Sequence, residues 1–339
     1  MSVTSRTWLQ VIGFVLVATA PLAGQQEARS PMPFVPLREP HFVPAAKADF
    51  LKGDDRVVGV SENGVSKAYQ PSVLAFHHVV QDSLKDVPII ATWCALCNTP
   101  LVYRSDVDGK KLTFERAGNR GNNFFMLDTE TGSHWQQIGG DCYEGPMKGK
   151  RLTMVPFLYT TWGEWHEQHP ETLVLVPEAA YKSGYDFMNQ RISTVAYGSD
   201  QKPTRELVRE KDTRLPNYEQ VIGIEIRDSH KAYPVSRLRK EPVVNDNVGS
   251  TPVLVVYAAA SDTTTAFSRE IGGRTMTFRA AGSGTMQDSE TSSKWNTYGE
   301  CIDGKLKGQK LERVIPQPGS WFAWAEFHPD TEIYTASAH

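Results

Sequence analysis

Three side chains in the first third of the chain carry the clearest chemistry, because His77, Cys94 and Cys97 are of the types that bind transition metals. Thiolate and imidazole are common protein ligands of Zn(II), and two thiolates with one imidazole also suit Cu(I). If the three converge, a fourth coordination position stays open, which is typical of catalytic or transport sites. The sequence therefore predicts one transition metal ion, zinc or copper, held by His77, Cys94 and Cys97.

The Cys-x-x-Cys spacing has two further interpretations. In a thioredoxin-like site the first cysteine begins a helix whose dipole lowers its pKa, but Pro100 and an apparent strand at Leu101–Tyr103 leave little room for that helix. A turn this short can also close a disulfide in an oxidising compartment. Cys94 and Cys97 thus form a metal knuckle, a reactive dithiol that acts as a redox pair, or an inert staple.

Two neighbours bear on the same site. His78 directly follows His77 and is an alternative ligand, and Trp93 directly precedes Cys94. Trp93 is expected either to line and shield the site or to pack in the core, which is the commoner role of a tryptophan.

The chain repeats itself once. Residues 56–74 aligned with residues 220–238 give seven identities in 19 positions without a gap. Later blocks match as well, including residues 128–135 with 288–295 and residues 169–172 with 328–331. A repeat of this length indicates two copies of one supersecondary unit. We expect a first lobe at 54–176, a linker at 177–219 and a second, degenerate lobe at 220–335.

The two copies differ where the chemistry lies. His77, Cys94 and Cys97 align with Glu241, Ala258 and Ser261, whereas flanking positions such as Pro88 and Pro252 agree. Loss of all three together is expected if they form one site. Cys142 and Cys301 align with each other, and their retention in both copies indicates structural cysteines, either buried thiols or an interlobe disulfide.

The hydrophobic period within each copy is mostly two, which predicts short strands. Asn63-Gly64 between two apolar runs is a strong hairpin signal. Two helices are predicted in the first copy, over residues 71–80 behind Pro71 and from the capping box at Thr161 to a point before Pro170. The fold class is therefore mainly β (α+β), with two repeated antiparallel β-rich lobes that each carry one or two short helices.

The amino terminus predicts export. Arg6 precedes a short apolar run at 8–20, and small residues up to Gly24 offer cleavage positions, so residues 1–24 read as a signal peptide. An uncleaved anchor is the alternative, although Pro21 interrupts the run before it reaches the length of a spanning helix. Residues 25–53 form a Pro-rich arm. The mature protein is expected to be periplasmic or extracellular, without a transmembrane span.

Composition and charge exclude several classes of protein. The 339 residues include 36 Lys+Arg and 39 Asp+Glu, a formal net charge of −3, and this offers no basic field for binding nucleic acid. An apolar fraction of 40% argues against extended disorder. No serine-hydrolase, zincin, P-loop or dinucleotide-binding motif occurs. The expected partner is a small molecule or another exported protein.

Three blocks of the sequence form a recognisable set, namely His77 with Val87-Pro88 and Trp93–Thr99, then Leu127–Gln137, then Gly145–Gly149. Together they resemble the domain-of-unknown-function family 3179, which is found in many exported bacterial proteins. The resemblance covers about residues 54–335. Members usually have Pro-Leu between the cysteines and Asn-Asp where this chain has Gln81-Asp82. The family implies the domain and the importance of the cysteine block, and it implies no reaction.

Three functions stay open at this point. The first is an exported metalloprotein, either an enzyme or a metal carrier, that uses His77, Cys94 and Cys97. The second is a thiol–disulfide redox protein that uses Cys94 and Cys97. The third is a binding module, not an enzyme, in which the same two cysteines form a structural disulfide.

Overall fold

The computed structural model describes Met1 and residues 35–196, 212–282 and 284–335. The predicted signal peptide and the first part of the predicted arm lie outside the described residues, apart from Met1. Within the described part, no helix is both long and apolar enough to cross a membrane.

The first copy of the repeat, together with the segments that precede and follow it, is built from short strands and three helices. The strands are β1 (Phe42–Pro44), β2 (Arg56–Glu62), β3 (Val65–Tyr69), β4 (Val79–Leu84), β5 (Val87–Cys94), β6 (Thr99–Arg104), β7 (Asp106–Val107), β8 (Lys110–Lys111), β9 (Phe114–Arg120), β10 (Asn123–Asp128), β11 (His134–Gln136), β12 (Cys142–Glu144), β13 (Phe157–Thr161) and β14 (Leu173–Leu175). The helices are α1 (Pro71–His77), α2 (Trp162–Gln168) and α3 (Lys182–Ala196), with 3-10 turns at Ala45–Lys47 and Ala179–Tyr181.

The second copy repeats the same series. Its strands are β15 (Gln220–Ile226), β16 (Ser229–Pro234), β17 (Val243–Val248), β18 (Thr251–Ala258), β19 (Thr263–Ser268), β20 (Glu270–Ile271), β21 (Arg274–Thr275), β22 (Phe278–Ala280), β23 (Thr285–Asp288), β24 (Lys294–Asn296), β25 (Cys301–Asp303), β26 (Arg313–Val314), β27 (Gln317–Ser320) and β28 (Glu332–Ile333). Its helices are α4 (Val235–Leu238) and α5 (Trp321–Phe327).

The sheets of the two copies correspond one to one. The order β14-β3-β2-β13 recurs as β28-β16-β15-β27, the order β4-β5-β6 recurs as β17-β18-β19, and β9 to β12 recur as β22 to β25. Most neighbouring strands are antiparallel, whereas β3 with β14 and β16 with β28 are parallel. The mainly β fold with two repeated lobes and short helices is thus confirmed.

Local sequence explains the hairpin and one helix start. Asn63 and Gly64 have φ angles of 54° and 77°, which suit a tight turn between β2 and β3 because both residue types tolerate positive φ. At the start of α2, Thr161 Oγ1 accepts a hydrogen bond from the backbone N–H of Glu164 at 3.4 Å, as the capping box predicts.

Helix α1 is shorter than the sequence predicts. It ends at His77, and His78 follows with φ 62°. Val79 and Val80 belong to β4, where they pair with Thr92 and Ala91. The two β-branched valines pack well in the buried sheet, and this tertiary contact outweighs the local preference for helix that the sequence predicts here.

Segments outside the two copies are also ordered. Phe42–Pro44 of the predicted arm pairs with Leu173–Leu175 at the edge of the sheet. The predicted linker contains α3, which packs against α1 through buried Tyr185, Met188 and Ile192. These three residues lie three and four positions apart, on one face of a helix.

The lobes contact each other through a reciprocal exchange of turns. The turn after β5 lies on the second lobe, where Cys97 O accepts a hydrogen bond from Ser320 N at 2.9 Å and Asn98 Nδ2 donates to Gln220 Oε1 at 3.0 Å. The matching turn after β18 lies on the first lobe, where Thr263 Oγ1 donates to Thr160 Oγ1 at 2.8 Å. The repeat therefore forms a pseudo-twofold interface.

A glycine opposite a tryptophan shows how tightly each lobe packs. A Cβ on Gly59 would lie 2.2 Å from Trp165 Cε3, and one on Gly223 would lie 2.1 Å from Trp324 Cζ3. Both tryptophans are buried, so making room for a Cβ would disturb the surrounding core. We expect Gly59→Ala and Gly223→Ala each to lower the free energy of unfolding by about 1–3 kcal/mol, measured by chemical denaturation.

The control for these two variants is Gly53→Ala, since a Cβ there meets nothing within 4 Å. It should unfold like the unchanged protein. If Gly59→Ala were as stable as Gly53→Ala, the close packing of Trp165 on β2 would be wrong.

Candidate functional site

The two cysteines of the Cys-x-x-Cys motif occupy a tight turn between adjacent strands. Cys94 is the last residue of β5 and pairs with Thr99, the first residue of β6. Asn98 has φ 52°, a left-handed conformation that asparagine tolerates and that closes the turn. β6 follows at once, so there is no room for the helix of a thioredoxin-like site. Both sulfurs are held by one short segment of backbone.

Cys94 lies in surroundings that favour its thiolate. Burial alone would raise the pKa of Cys94, since the side chain is only 3% exposed. Hydrogen bonds from the thiol of Cys97 and from the backbone amides of Cys97, Leu96 and Phe124 more than offset burial and lower the pKa to about 7. A thiolate, not a thiol, is the nucleophile and the metal ligand of cysteine chemistry. Of the two sulfurs, Cys94 is the one whose surroundings favour the thiolate.

Cys97 has the opposite role. Complete burial and the hydrogen bond to the neighbouring Cys94 sulfur raise the pKa of Cys97 well above its usual value. Asn123 Nδ2 donates to Cys97 Sγ at 3.3 Å. Cys97 thus keeps its proton near neutral pH and shares it with Cys94.

A buried polar network surrounds Cys97. Asn123 Nδ2 also donates to Gln137 Oε1 at 2.7 Å, and Asn123 Oδ1 accepts from Gln136 Nε2 at 2.7 Å. Gln137 Nε2 donates to Thr92 Oγ1 at 3.0 Å and to the carbonyl of Thr99 at 3.1 Å. Thr92, Asn123 and Gln137 have no exposed surface. A fully satisfied network of this kind holds its members in one arrangement.

The second lobe lacks this network. At the equivalent positions Thr92 becomes Val256, Gln137 becomes Thr297 and Tyr103, whose hydroxyl donates to the carbonyl of Gln137, becomes Phe267. The side-chain amide of Gln137 and the hydroxyls of Thr92 and Tyr103 thus have no counterpart in the copy that also lacks the cysteines. We therefore assign Thr92, Asn123 and Gln137 to the cysteine site. Sequence reasoning missed them, although the comparison of the two copies carries the signal.

His77 lies in the last turn of α1, facing α3 instead of the cysteines. Its Nε2 is 2.8 Å from Tyr185 Oη, and its Nδ1 is 2.5 Å from the carbonyl oxygen of Val35. Burial lowers the pKa of His77, which favours the neutral ring. Among the described residues, no group of three His, Cys, Asp or Glu side chains could hold a metal ion. The structure does not bring His77 to Cys94 and Cys97 as the sequence predicts.

His78 reaches the cysteine site only through Phe124. Its ring packs edge-on to Phe124, with centroids 5.2 Å apart, and the backbone amide of Phe124 is one of the donors to Cys94. Burial, together with the charge of Arg116, lowers the pKa of His78 to about 3, so the ring is neutral. His78 helps to hold the strand that carries that amide.

Trp93 and the two retained cysteines lie in the core. Trp93 has no exposed surface and packs edge-on to Tyr159 at 5.3 Å. It lies on the opposite face of β5 from Cys94, because side chains alternate along a strand.

Cys142 and Cys301 are buried free thiols in equivalent strands, and each thiol is directed at the carbonyl oxygen of the residue two positions later. Of the two predicted alternatives, the structure therefore has Cys142 and Cys301 as buried thiols and not as an interlobe disulfide.

Comparison with known proteins gives the family alone. The sequence pattern of the family described as "Protein of unknown function (DUF3179)" matches residues 32–331, nearly the whole chain. The chain therefore belongs to this family. No curated protein and no solved structure matches this chain.

Proposed function

We propose that this protein is a thiol–disulfide redox protein whose working group is the Cys94–Cys97 pair. The observation that carries the proposal is the geometry of the turn between β5 and β6, which sets the two thiols side by side and directs the backbone amides of Cys97, Leu96 and Phe124 at Cys94 Sγ. These hydrogen bonds lower the pKa of Cys94, while burial raises the pKa of Cys97. A low-pKa thiolate next to a protonated resolving thiol is the arrangement that disulfide exchange requires.

The proposed reaction balances with a disulfide as the co-reactant. Cys94 Sγ attacks one sulfur of the co-reactant, forms a mixed disulfide and releases the first thiol. Cys97 then loses its proton and attacks Cys94 Sγ, which closes the Cys94–Cys97 disulfide and releases the second thiol. The pair loses two electrons and the co-reactant gains them. The reverse sequence reduces the pair.

The burial of the pair limits the size of the co-reactant. Cys94 is 3% exposed and Cys97 is not exposed at all, so a folded partner cannot reach either sulfur without opening the turn. Ser320 N and Gln220 hold the turn against the second lobe. A small disulfide is therefore the favoured co-reactant.

A trapping experiment tests this proposal. The reduced full chain is treated with oxidised glutathione, and intact mass is measured. We expect the unchanged protein to lose two hydrogen atoms without gaining an adduct, and Cys97→Ser to retain a glutathione adduct on Cys94. Cys94→Ser is the matched control and should gain none, because the pKa of Cys97 is raised. Equal adducts on both single variants, or none on either, would refute the proposal.

A second candidate function is metal binding by the two thiolates alone. The turn between two strands, with backbone amides directed at a cysteine sulfur, favours it because metal knuckles share this geometry. Two soft ligands without a histidine suit Cu(I) better than Zn(II). Metal analysis of protein purified under reducing conditions tests whether the two thiolates bind an ion. We expect Cys94→Ser to lose the metal and His77→Ala to retain it. Less than about 0.2 ion per unchanged chain would exclude it.

We also propose that the protein acts outside the cytoplasm, after removal of residues 1–24. The short apolar run behind Arg6 supports export. An oxidising compartment supplies the disulfide co-reactants that the Cys94–Cys97 pair needs.

A further inference from the structure

Asn123 is in direct contact with the sulfur of Cys97. It is the first residue of β10 and has no exposed surface, and its Nδ2 lies 3.3 Å from Cys97 Sγ. Thr99 also lies beside this sulfur, but the single proton of its hydroxyl is donated to the carbonyl oxygen of Cys97 at 3.1 Å. Asn123 is therefore the side chain that offers an N–H to Cys97 Sγ.

The surrounding network fixes which end of the Asn123 amide faces the sulfur. The backbone N–H of Ile138 donates to Asn123 Oδ1 at 3.2 Å, and Gln136 Nε2 donates to the same oxygen at 2.7 Å. A backbone N–H can only donate, so the amide cannot be turned over without placing two donors against each other. The second N–H of Asn123 is donated to Gln137 Oε1 at 2.7 Å. The amide thus points one N–H at Cys97 Sγ in a single orientation.

The second step of the proposed reaction needs help at Cys97. Burial raises the pKa of Cys97, and the side chains of the network around it are neutral amides and hydroxyls. Cys97 must nevertheless attack with the charge of a thiolate. A hydrogen bond to an ionised acceptor is stronger than one to a neutral acceptor, so a fixed N–H stabilises the thiolate more than the thiol.

We propose, on the basis of the redox function proposed above, that Asn123 is a catalytic residue of disulfide closure and that its Nδ2–H stabilises the negative charge that develops on Cys97 Sγ. In this step Cys97 Sγ bonds to Cys94 Sγ, and the bond between Cys94 Sγ and the sulfur of the co-reactant breaks. The released thiol carries away the proton of Cys97. In the reverse direction a thiol attacks Cys94 Sγ, Cys97 Sγ is the leaving group, and the same N–H stabilises it.

The effect of Asn123 on Cys97 can be measured without any redox step. In the Cys94→Ala variant, thiolate absorbance followed against pH reports the ionisation of Cys97, once the signal of the Cys94→Ala, Cys97→Ala double variant is subtracted. Adding Asn123→Ala should move this transition upward by about one pH unit, because a donor that favours the charged form is removed. A transition that does not move would overturn the role of Asn123 and would leave the redox function of the pair standing.

Rapid quenching then tests the closing step on the full chain. Oxidised glutathione is supplied at a concentration at which adduct formation on Cys94 is the faster step, and intact mass follows the conversion of adduct into disulfide. We expect Asn123→Ala to form the adduct within about twofold of the unchanged rate and to close about three- to tenfold more slowly at pH 7. Equal closing rates would contradict the role of Asn123. An unchanged chain that forms neither adduct nor disulfide would refute the redox function as well.

Two further variants separate the donor from the packing. Asn123→Asp keeps the shape of the side chain and the oxygen that accepts from Gln136 and Ile138, and these two donors favour its ionised form. A carboxylate cannot donate to Cys97, so this variant should close at least as slowly as Asn123→Ala. Circular dichroism confirms that each variant is folded. Closure of Asn123→Asp at the unchanged rate would show that packing alone matters and would overturn the proposal.

Asn245→Ala is the matched control in the second lobe. Asn245 Nδ2 donates to the carbonyl of Phe278 at 2.7 Å, and its Oδ1 accepts from the backbone N–H of Phe278 at 2.8 Å. Its replacement also removes a hydrogen-bonded asparagine from a sheet, but far from the cysteines. The closing rate of Asn245→Ala should equal that of the unchanged chain. Slowing of closure to the same extent as in Asn123→Ala would show a general loss of packing and contradict the proposal.

Discussion

Replacing Cys97 with alanine is expected to move the ionisation of Cys94 from neutral to alkaline pH. Burial raises the pKa of Cys94, and the largest effect opposing it is the hydrogen bond from the Cys97 thiol. Alanine removes that donor and leaves the burial. The pKa then returns toward or above the ordinary thiol value, so the thiolate fraction at pH 7 falls from about half to roughly a tenth or less. The ultraviolet absorbance of the thiolate, followed against pH, measures the change.

Cys142→Ala is the matched control for this titration. Cys142 lies in β12, in a different sheet from Cys94. Burial raises the pKa of Cys142, and its sulfur is directed at the carbonyl of Glu144 in the same strand. Its removal should leave the neutral transition in place. A Cys97→Ala variant that still ionises near pH 7 would show that the amides alone stabilise Cys94 and that Cys97 does not share its proton.

Replacing Asp128 or Asp288 with alanine is expected to cause the largest losses of stability. Asp128 is fully buried and accepts hydrogen bonds from Trp135 Nε1 at 2.8 Å and from Thr131 N at 2.6 Å. Asp288 does the same for Trp295 and Thr291 in the second lobe. Alanine leaves several buried donors unpaired, each costing about 1–3 kcal/mol, so each variant should lose about 3–5 kcal/mol. Chemical denaturation measures this, with exposed Asp303→Ala as the control.

The pH dependence of stability gives a second test of Asp288. Burial would raise the pKa of Asp288, but hydrogen bonds from Trp295, Thr291 and Ser293 lower it below the usual value. Since the folded pKa lies below the unfolded one, this carboxylate stabilises the fold above about pH 4 and loses the effect as the pH falls further. Asp288→Ala should therefore flatten the acid limb of the stability curve. An unchanged acid limb would contradict the assigned hydrogen bonds.

Much of the fold can be predicted from the sequence because the chain repeats and its turns carry strong local signals. Asn63-Gly64 identifies a hairpin, Thr161 identifies a helix start, and the repeat predicts that the two lobes share their sheets. The end of α1 could not be predicted, since Val79 pairs with Thr92 across the sheet and no local pattern reports such pairing. The spacing of Tyr185, Met188 and Ile192 is that of a helix face, which indicates α3. The many polar residues between and around them hide this apolar pattern in the sequence.

The candidate site is only half predictable. The turn of Cys94 and Cys97 follows from their spacing and from the strand behind Pro100. The position of His77 does not, because its ring is held by Tyr185 and Val35, which lie far away in the sequence. Loss of His77 in the second copy correlates with loss of the cysteines without joining the three residues in space. Asn123 and Gln137 show the reverse case, since they contact the site without a motif.

The reduction potential of the Cys94–Cys97 pair tests the central claim most directly. The chain is equilibrated in glutathione buffers of graded ratio, quenched with acid and analysed by intact mass. A thiolate at Cys94 stabilises the dithiol form, so we predict a midpoint between about −120 and −270 mV, in the range of known dithiol oxidoreductases. A pair that stays oxidised in every buffer, with a midpoint below about −300 mV, would be a structural disulfide and would contradict the account.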